Sequence, residues 1–444
     1  MKKLLTYMGV DRAVVYNLAG RGWGLLSGVL TLLLVMIFLT PDEQGYYYTF
    51  ASILAMQIFF ELGMSYVVMQ FASHEMANLS WVEDKYIQGD IKAKGRLRSL
   101  LILVMKWYAV IAILVVLVIL PIGIFFFSIN HERDSVNWLF AWTFLVMSSA
   151  VNIFIAPTLS ILEGCGRILE IAKLRMYQGI FGSVVSWVVL TQGGGLFSLP
   201  SMSLTYALVA IIWLQNTKKT FLIKLIKEKT GDFRVSWKTE IWPLQWRIAL
   251  SWLSGYFIFQ LFTPILFYYH GAAEAGKMGL SISIANALMS VAVAWISTQA
   301  PSFGTLIAKK DYINLDLIFK TTLAHSLFVM ILLALVLCIA NYLLHEMGVK
   351  FSSRVLDPLP FALLIGATVL NYVTYAQSTY LRAHKQEPFL VISLVSAVLI
   401  GVLTLLLGRE YGALGIMYAY STICAIVGFG WGSWIFLVKR KAWS

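Results

Sequence analysis

Long runs of apolar residues alternate with short polar turns along the whole chain. Each run is close to or above the roughly 20 residues that an α-helix needs to cross the ~30 Å hydrocarbon layer of a membrane. The pattern therefore predicts an all-α integral membrane protein with about twelve transmembrane helices. The predicted spans are 14–39, 46–71, 100–127, 138–162, 176–191, 196–214, 248–269, 278–298, 321–344, 359–381, 389–407 and 413–438.

Composition agrees with lipid as the solvent of this chain. Of its 444 residues 59% are hydrophobic and 13% are charged, against about 25% charged in a soluble domain. Lys and Arg are uneven, with about 27 on the N-terminal side of the membrane and 5 in the opposite loops. Because cytoplasmic loops retain positive charge during insertion, both termini are predicted to be cytoplasmic. The net charge of +12 then reports topology and does not indicate a nucleic-acid partner.

Several function classes are disfavoured by what the sequence contains. The three cysteines, Cys165, Cys338 and Cys424, have no disulfide or metal-ligand spacing, so we expect neither a disulfide nor a metal site. There is no Walker motif, which argues against direct use of ATP, and no cofactor is expected. The long hydrophilic segments, 72–99 and 215–247, are on the predicted cytoplasmic side. An enzyme such as an O-antigen polymerase or ligase needs a large external loop, and the outside loops are short.

The chain has the pattern of a duplication. The turn after the first span, 41–46, matches the turn after the seventh, 272–277, and this match pairs Glu43 with Glu274 and Gly45 with Gly276. Two halves that begin on the same side of the membrane form a parallel repeat. We predict an N-terminal bundle of about six helices (1–216), a basic cytoplasmic linker (217–247) and a C-terminal bundle of about six (248–444).

Charged residues inside membrane spans are costly and point to function. Arg21, Glu61 and Lys106 lie in the first three spans at similar depths, roughly 9–15 Å from the cytoplasmic ends of their helices. One interpretation is a cluster that binds an anionic headgroup while Glu61 binds a coupling cation. The alternative is a structural ion pair between Arg21 and Glu61, with Lys106 extending to the interface.

The second half has only neutral polar residues well inside its spans. Asn286 lies in a stripe of polar residues along the eighth span, with Ser283 and Ser290. Such side chains are able to bond sugar hydroxyls, but Ser and Asn also join helices to one another in membranes.

Four local motifs occur along the chain: LTPDEQGY (39–46), FELGM (60–64), LEGCGR (162–167) and QWRIALSWLSGY (245–256). In this order, and combined with the span plan, they resemble the bacterial polysaccharide transporter family, the flippases of O-antigen and capsule units. The resemblance covers almost the whole chain. It implies the fold of multidrug and toxin extrusion transporters, a bacterial inner-membrane location and a cavity for the cargo.

The cargo that the resemblance implies is an undecaprenyl-pyrophosphate-linked oligosaccharide, moved from the inner to the outer leaflet by alternating access. Arg21 and Lys106 would then contact the pyrophosphate, Tyr256 and Asn286 the sugars, and Arg247 would guide the headgroup in. Membrane lipid and enzymes of polysaccharide assembly are the expected partners. A cation-coupled multidrug antiporter on the same fold is the alternative, and it would favour more acidic and fewer basic residues in the cavity.

Overall fold

The computed structural model describes residues 12–129, 136–227, 233–384, 386 and 388–443, and most of them are helical. The α-helices are α1 Arg12–Phe38, α2 Pro41–Leu54, α3 Ile58–Glu61, α4 Met64–Met76, α5 Ile91–Leu114, α6 Leu120–Ile129, α7 Leu139–Gly164, α8 Ile168–Thr191, α9 Ser198–Trp213, α10 Lys219–Lys227, α11 Trp242–Phe259, α12 Phe262–His270, α13 Ala272–Ala308, α14 Tyr312–Glu346, α15 Pro358–Ala383, α16 Leu390–Ile423 and α17 Gly432–Trp443.

Shorter elements connect or interrupt these helices. Wide π turns occur at Val115–Ile119, Leu214–Lys218, Trp237–Ile241 and Cys424–Trp431, and tight 3-10 turns at Ala55–Gln57, Gly195–Phe197 and Ser352–Arg354. Two strands, β1 Leu79–Val82 and β2 Tyr86–Gly89, pair antiparallel.

The chain forms two compact units. The first consists of Met1–Leu34 and Leu54–Trp252, and the second of Val35–Ile53 and Leu253–Ser444. The end of α1 and most of α2 thus group with the second half of the chain. The predicted bundle boundaries at 216 and 247 stay a prediction.

Each predicted span falls on a helix, which confirms the all-α membrane fold. Among the described residues, 9 helices are long and apolar enough to cross a membrane, and 10 if the pair Pro41–Glu61 and Met64–Met76, bent by 44°, is one span. This count is two lower than the twelve predicted spans, for two reasons. The fifth predicted span is α8, whose first turns carry charged residues, and it is not counted. The last two predicted spans run together in Leu390–Ala442, where Gly412 breaks the helix with φ 58°, and they count as one.

The segment 79–89, which we expected only to be hydrophilic, forms a β-hairpin. Leu79 pairs with Gly89 and Val82 with Tyr86. Glu83 and Asp84 in the turn both have positive φ, 49° and 56°, the left-handed conformation that tight hairpin turns use.

The two segments paired in the predicted duplication, 41–46 and 272–277, are helical and not turns. The first begins α2 at Pro41 and the second begins α13 at Ala272. The start of α2 has a capping box: Thr40 N–H donates to Glu43 Oε2 at 2.8 Å, and Glu43 N–H donates to Thr40 Oγ1 at 3.2 Å. Acidic Glu43 and Glu274 both stand in a first helical turn, where the helix dipole favours negative charge.

The two matched glycines are in contact with each other inside the second unit. A Cβ on Gly276 would lie 2.9 Å from Gly45 N, and one on Gly45 would lie 1.9 Å from Ala272 O. The side-chain amide of Gln44 then donates to the carbonyl oxygens of Gly276 at 2.8 Å and Arg354 at 3.0 Å. Small residues permit such close approach of membrane helices.

Gly45→Ala should therefore destabilise the second unit severely, because the added methyl group meets backbone atoms that have no room to move. We expect a loss of several kcal/mol, comparable to the larger effects of overpacking a core. The measurement is the thermal unfolding midpoint in detergent. Gly366→Ala in α15 is the matched control, since no atom lies within 4 Å of its added Cβ. Equal midpoints for the two variants would contradict the packing described here.

Candidate functional site

Arg21 lies on an open face of α1. Its side chain is exposed, and in the described part of the chain it has no hydrogen-bond or ion-pair partner. Gly24 and Gly28 share this face, one and two turns further along. A Cβ at either glycine would meet no atom within 4 Å. The first span therefore presents a cation and two glycines to open space.

Other side chains of α1 hold it against α8. Trp23 Nε1 donates to Ser183 Oγ at 3.2 Å, and Trp187 Nε1 donates to Thr31 Oγ1 at 2.9 Å. The rings of Trp23 and Trp187 are 6.0 Å apart. These contacts fix the rotation of α1 about its axis. Arg21, two residues from Trp23, points about 200° away from that tryptophan.

Glu61 ends a helix at a sharp break in the second span. The chain leaves α3 through Leu62 and Gly63, with φ 50° and 68°, before α4 begins. Positive φ strains a leucine, whereas Gly63 adopts it readily and also has no room for a Cβ, which would lie 2.6 Å from Ile248 Cγ2. Strained backbone of this kind persists where the surroundings enforce it, commonly at functional sites.

Two hydroxyl groups bind the Glu61 carboxylate. Ser65 Oγ donates to Glu61 Oε1 at 2.6 Å, and Tyr108 Oη donates to the same oxygen at 3.2 Å. The two hydroxyl oxygens are themselves 2.9 Å apart. Three oxygen atoms thus converge at the break, a ligand type that hard cations prefer. The described residues contain no group of three or more His, Cys, Asp or Glu placed to hold a metal ion.

The structure does not join Arg21, Glu61 and Lys106 into one ion-paired cluster. Among the described residues Glu61 has hydroxyl partners and no ion pair. The structural Arg21–Glu61 pair considered above is therefore not formed. Lys106 is exposed and lies two residues before the buried Tyr108 on α5, so it points about 200° away from the side that bonds Glu61.

The remaining predicted residues differ in exposure. Asn286 is exposed on α13. Tyr256 is buried in α11, edge-on to Phe257 with the ring centroids 5.8 Å apart. The side chain of Arg247 lies outside the described part of the chain. The roles assigned to these residues stay predictions.

Sequence reasoning missed the partners of Glu61 and one large charged network. Ser65 follows Glu61 by one helical turn, a spacing that does signal contact, but no sequence signal links either residue to Tyr108.

The charged network is in the first unit, where α4 ends and α5 begins. Arg96 forms ion pairs there with Glu75, at 2.7 Å, and with Glu240. The pKa of Glu240 is lowered, first by its hydrogen bond from Arg96 and second by the one from the backbone N–H of Ser236.

No family model and no curated protein matches this sequence. Solved structures do match over nearly the whole chain. An inward-facing multidrug resistance MATE family transporter of the MOP superfamily has a TM-score of 0.59 at 14% identity, covering 97% of this chain and 96% of that one. The lipid II flippase MurJ, in an inward closed conformation, also gives 0.59 at 14% identity, covering 96% and 87%. The Vibrio cholerae MATE transporter VcmN gives 0.58 at 14% identity, covering 96% and 95%.

These likenesses show the fold: an all-α membrane transporter fold with MATE-like topology. The structures with which it is shared are transporters and flippases, in agreement with the prediction of a transporter. Drug exporters and a lipid flippase match equally well, so the fold leaves the cargo open.

The open face of α1 should be wet. In a cysteine-free background, Arg21→Cys, Gly24→Cys and Gly28→Cys should each react with a charged, membrane-impermeant thiol reagent, because only a hydrated thiol ionises to the reactive thiolate. Leu26→Cys is the control, since Leu26 is 71% exposed but lies on another face of the same helix. We expect labelling of the first three positions to be at least about tenfold faster. Equal labelling at all four would contradict a distinct polar face.

Proposed function

We propose that this protein is a flippase that moves undecaprenyl-pyrophosphate-linked oligosaccharide from the inner to the outer leaflet of the bacterial cytoplasmic membrane. The observation that carries the proposal is the exposed, unpaired guanidinium of Arg21 on the open face of a membrane span. Arg21 stands in the first turn of the candidate span Ala19–Phe38. Charged side chains are rare in such spans and commonly face water or an ionic ligand.

The sign of this charge favours an anionic cargo over a cationic drug. A pyrophosphate group does not cross hydrocarbon unaided, because an unpaired charge is strongly disfavoured there. A guanidinium offers two parallel N–H donors that match phosphate oxygens. Arg21 supplies this chemistry on α1, and the exposed amide of Asn286 offers a donor and an acceptor to sugar hydroxyls. The polyprenyl tail remains in lipid throughout.

Glu61 is the proposed coupling residue. Its carboxylate has two hydroxyl partners, Ser65 and Tyr108, and so presents an oxygen cage for a proton or a monovalent cation. Because Glu61 stands where the span bends by 44°, occupation of the carboxylate changes the charge at the break itself. A change of charge at a bistable element is the usual way in which an ion biases one conformation.

Arg21→Ala should reduce transport of an undecaprenyl-pyrophosphate-linked disaccharide at least about tenfold, since each lost charged phosphate contact is worth about 1.5–3 kcal/mol. Arg21→Lys, which keeps the charge without the planar donors, should be intermediate. The assay reconstitutes the protein in liposomes and measures disaccharide reaching the outer leaflet with an impermeant lectin. Lys350→Ala, in an exposed loop, is the matched control. Wild-type protein that expels a cationic dye but leaves the lipid-linked disaccharide in place would support the multidrug antiporter.

Glu61→Gln should abolish the stimulation of transport by an imposed proton or sodium gradient, because an amide does not carry the exchangeable charge. The glutamine side chain is close in shape to glutamate and still accepts hydrogen bonds from Ser65 and Tyr108, so folded protein should be obtained at the wild-type level. The measurement compares transport rates with and without the gradient in the same liposomes. A variant that responds to the gradient as the wild type does would remove Glu61 from the coupling mechanism.

A further inference from the structure

A cleft of about 450 Å³ opens between the β-hairpin and α10 in the first unit. Its floor is apolar, formed in part by Phe221 and Leu225, which are buried. Lys224 and Lys227 stand at its edge and are exposed. Tyr86 of β2 also lines it, with its ring centroid 4.1 Å from Lys224 Nζ. The cleft therefore combines an apolar floor with cations at the rim.

The walls of the cleft are fixed by contacts behind it. Trp81 of β1 packs on Phe221, with 4.8 Å between ring centroids, and the guanidinium of Arg167 lies 4.0 Å above the Trp81 ring. Trp81 Nε1 donates to Cys165 O at 2.8 Å. On the other side, Arg98 Nε of α5 donates to the carbonyl oxygen of Ile226 at 2.9 Å, near the end of α10. Both the hairpin and α10 are thus held in place.

Three acidic groups of described residues near the cleft, Asp84, Glu170 and Asp90, are engaged by other partners. Asp84 pairs with Arg167 at 2.6 Å, and this arginine holds the pKa of Asp84 below its usual value. Glu170 pairs with Lys218 at 2.7 Å, and Asp90 accepts from Ala93 N–H at the start of α5. Lys224 and Lys227 make no ion pair with any described residue. Their charge is available to a ligand.

Helix length places the cleft outside the hydrocarbon layer, on the side predicted to be cytoplasmic. The continuous helix Gly195–Lys227 has 33 residues, which is roughly 50 Å, about 20 Å longer than the hydrocarbon layer. Its last turns, α10, therefore extend past the hydrocarbon, through the headgroup region and beyond it. Exposed apolar side chains agree with this depth: Ile223 is 41% and Ile226 37% exposed on α10, and Ile91 is 67% exposed at the start of α5.

We infer that the cleft between β2 and α10 binds the anionic phosphate headgroup of a lipid in the adjoining leaflet, with Lys224 and Lys227 contacting the phosphate. The apolar floor and the exposed isoleucines accommodate the first carbons of the lipid chains. The residues that line this cleft do not include Arg21, Gly24 or Gly28, and the inference does not depend on what the protein transports. Two lipids supply such a headgroup: an anionic membrane phospholipid and a polyprenyl diphosphate.

The test is lipid binding by the full-length protein in detergent, measured by native mass spectrometry. Four probes are compared: phosphatidylglycerol, phosphatidylcholine, undecaprenyl diphosphate and sodium pyrophosphate. Lys224→Gln combined with Lys227→Gln should weaken binding of phosphatidylglycerol or undecaprenyl diphosphate, the two anionic lipids, about tenfold or more, since each lysine near an anionic surface contributes about 1 kcal/mol. Lys309→Gln combined with Lys310→Gln removes the same charge from an exposed pair at the end of α13 and should leave binding unchanged.

The probes separate the two sources of the headgroup. A loss confined to phosphatidylglycerol identifies a membrane phospholipid, and a loss confined to undecaprenyl diphosphate identifies a diphosphate lipid; either supports the site. Equal binding by the two double variants, or binding of zwitterionic phosphatidylcholine as strong as that of both anionic lipids, would overturn it. Binding of pyrophosphate with neither anionic lipid would also overturn it. Melting temperatures without lipid check folding, and Lys227→Gln alone, with about a fivefold loss expected, replaces the double variant if that variant fails to fold.

Discussion

In hydrocarbon no water is present to satisfy backbone N–H and C=O groups, and this constraint organises the whole chain. Long helices meet it by internal hydrogen bonds. Irregular backbone is tolerated only where protein buries it or where it lines a wet cavity, so the few breaks inside spans carry information. At Leu62 and Gly63 the break is accompanied by a carboxylate with two hydroxyl donors, from Ser65 and Tyr108. The seventh span also breaks, between α11 and α12, just before Pro264, which lacks an N–H to donate.

The same constraint explains why so much of the fold was predictable from the sequence. Bilayer thickness fixes the length of a span, so hydropathy alone located the helices. The segments 41–46 and 272–277, which were expected to be turns, instead form the starts of helices α2 and α13. What the sequence did not reveal is that Gly45 and Gly276 pack against each other. Contact between two repeats depends on how helices cross, and helix crossing is set by side chains distant in sequence.

Contacts between elements distant in sequence were not predictable in the same way. Similar depth in the membrane led to the interpretation that Arg21, Glu61 and Lys106 form a cluster, but depth says nothing about rotation around the helix axis. Lys106 and Tyr108 are two residues apart and point in nearly opposite directions. The hairpin was missed for a related reason. Its strands have only four residues each, and much of their support comes from Trp81 packing on Phe221 and Arg167, which no local pattern records.

The charges of the chain divide into those that support structure and those that do not. Arg96, Arg167 and Arg440 each pair with a carboxylate: Glu75, Asp84 and Asp316, respectively. Pairing of this kind offsets the cost of removing both charges from water. Arg21 lacks such a partner among the described residues, so no carboxylate offsets its charge. The fold is common to multidrug transporters and a lipid flippase, and the proposed distinction between these functions rests on this unpaired cation.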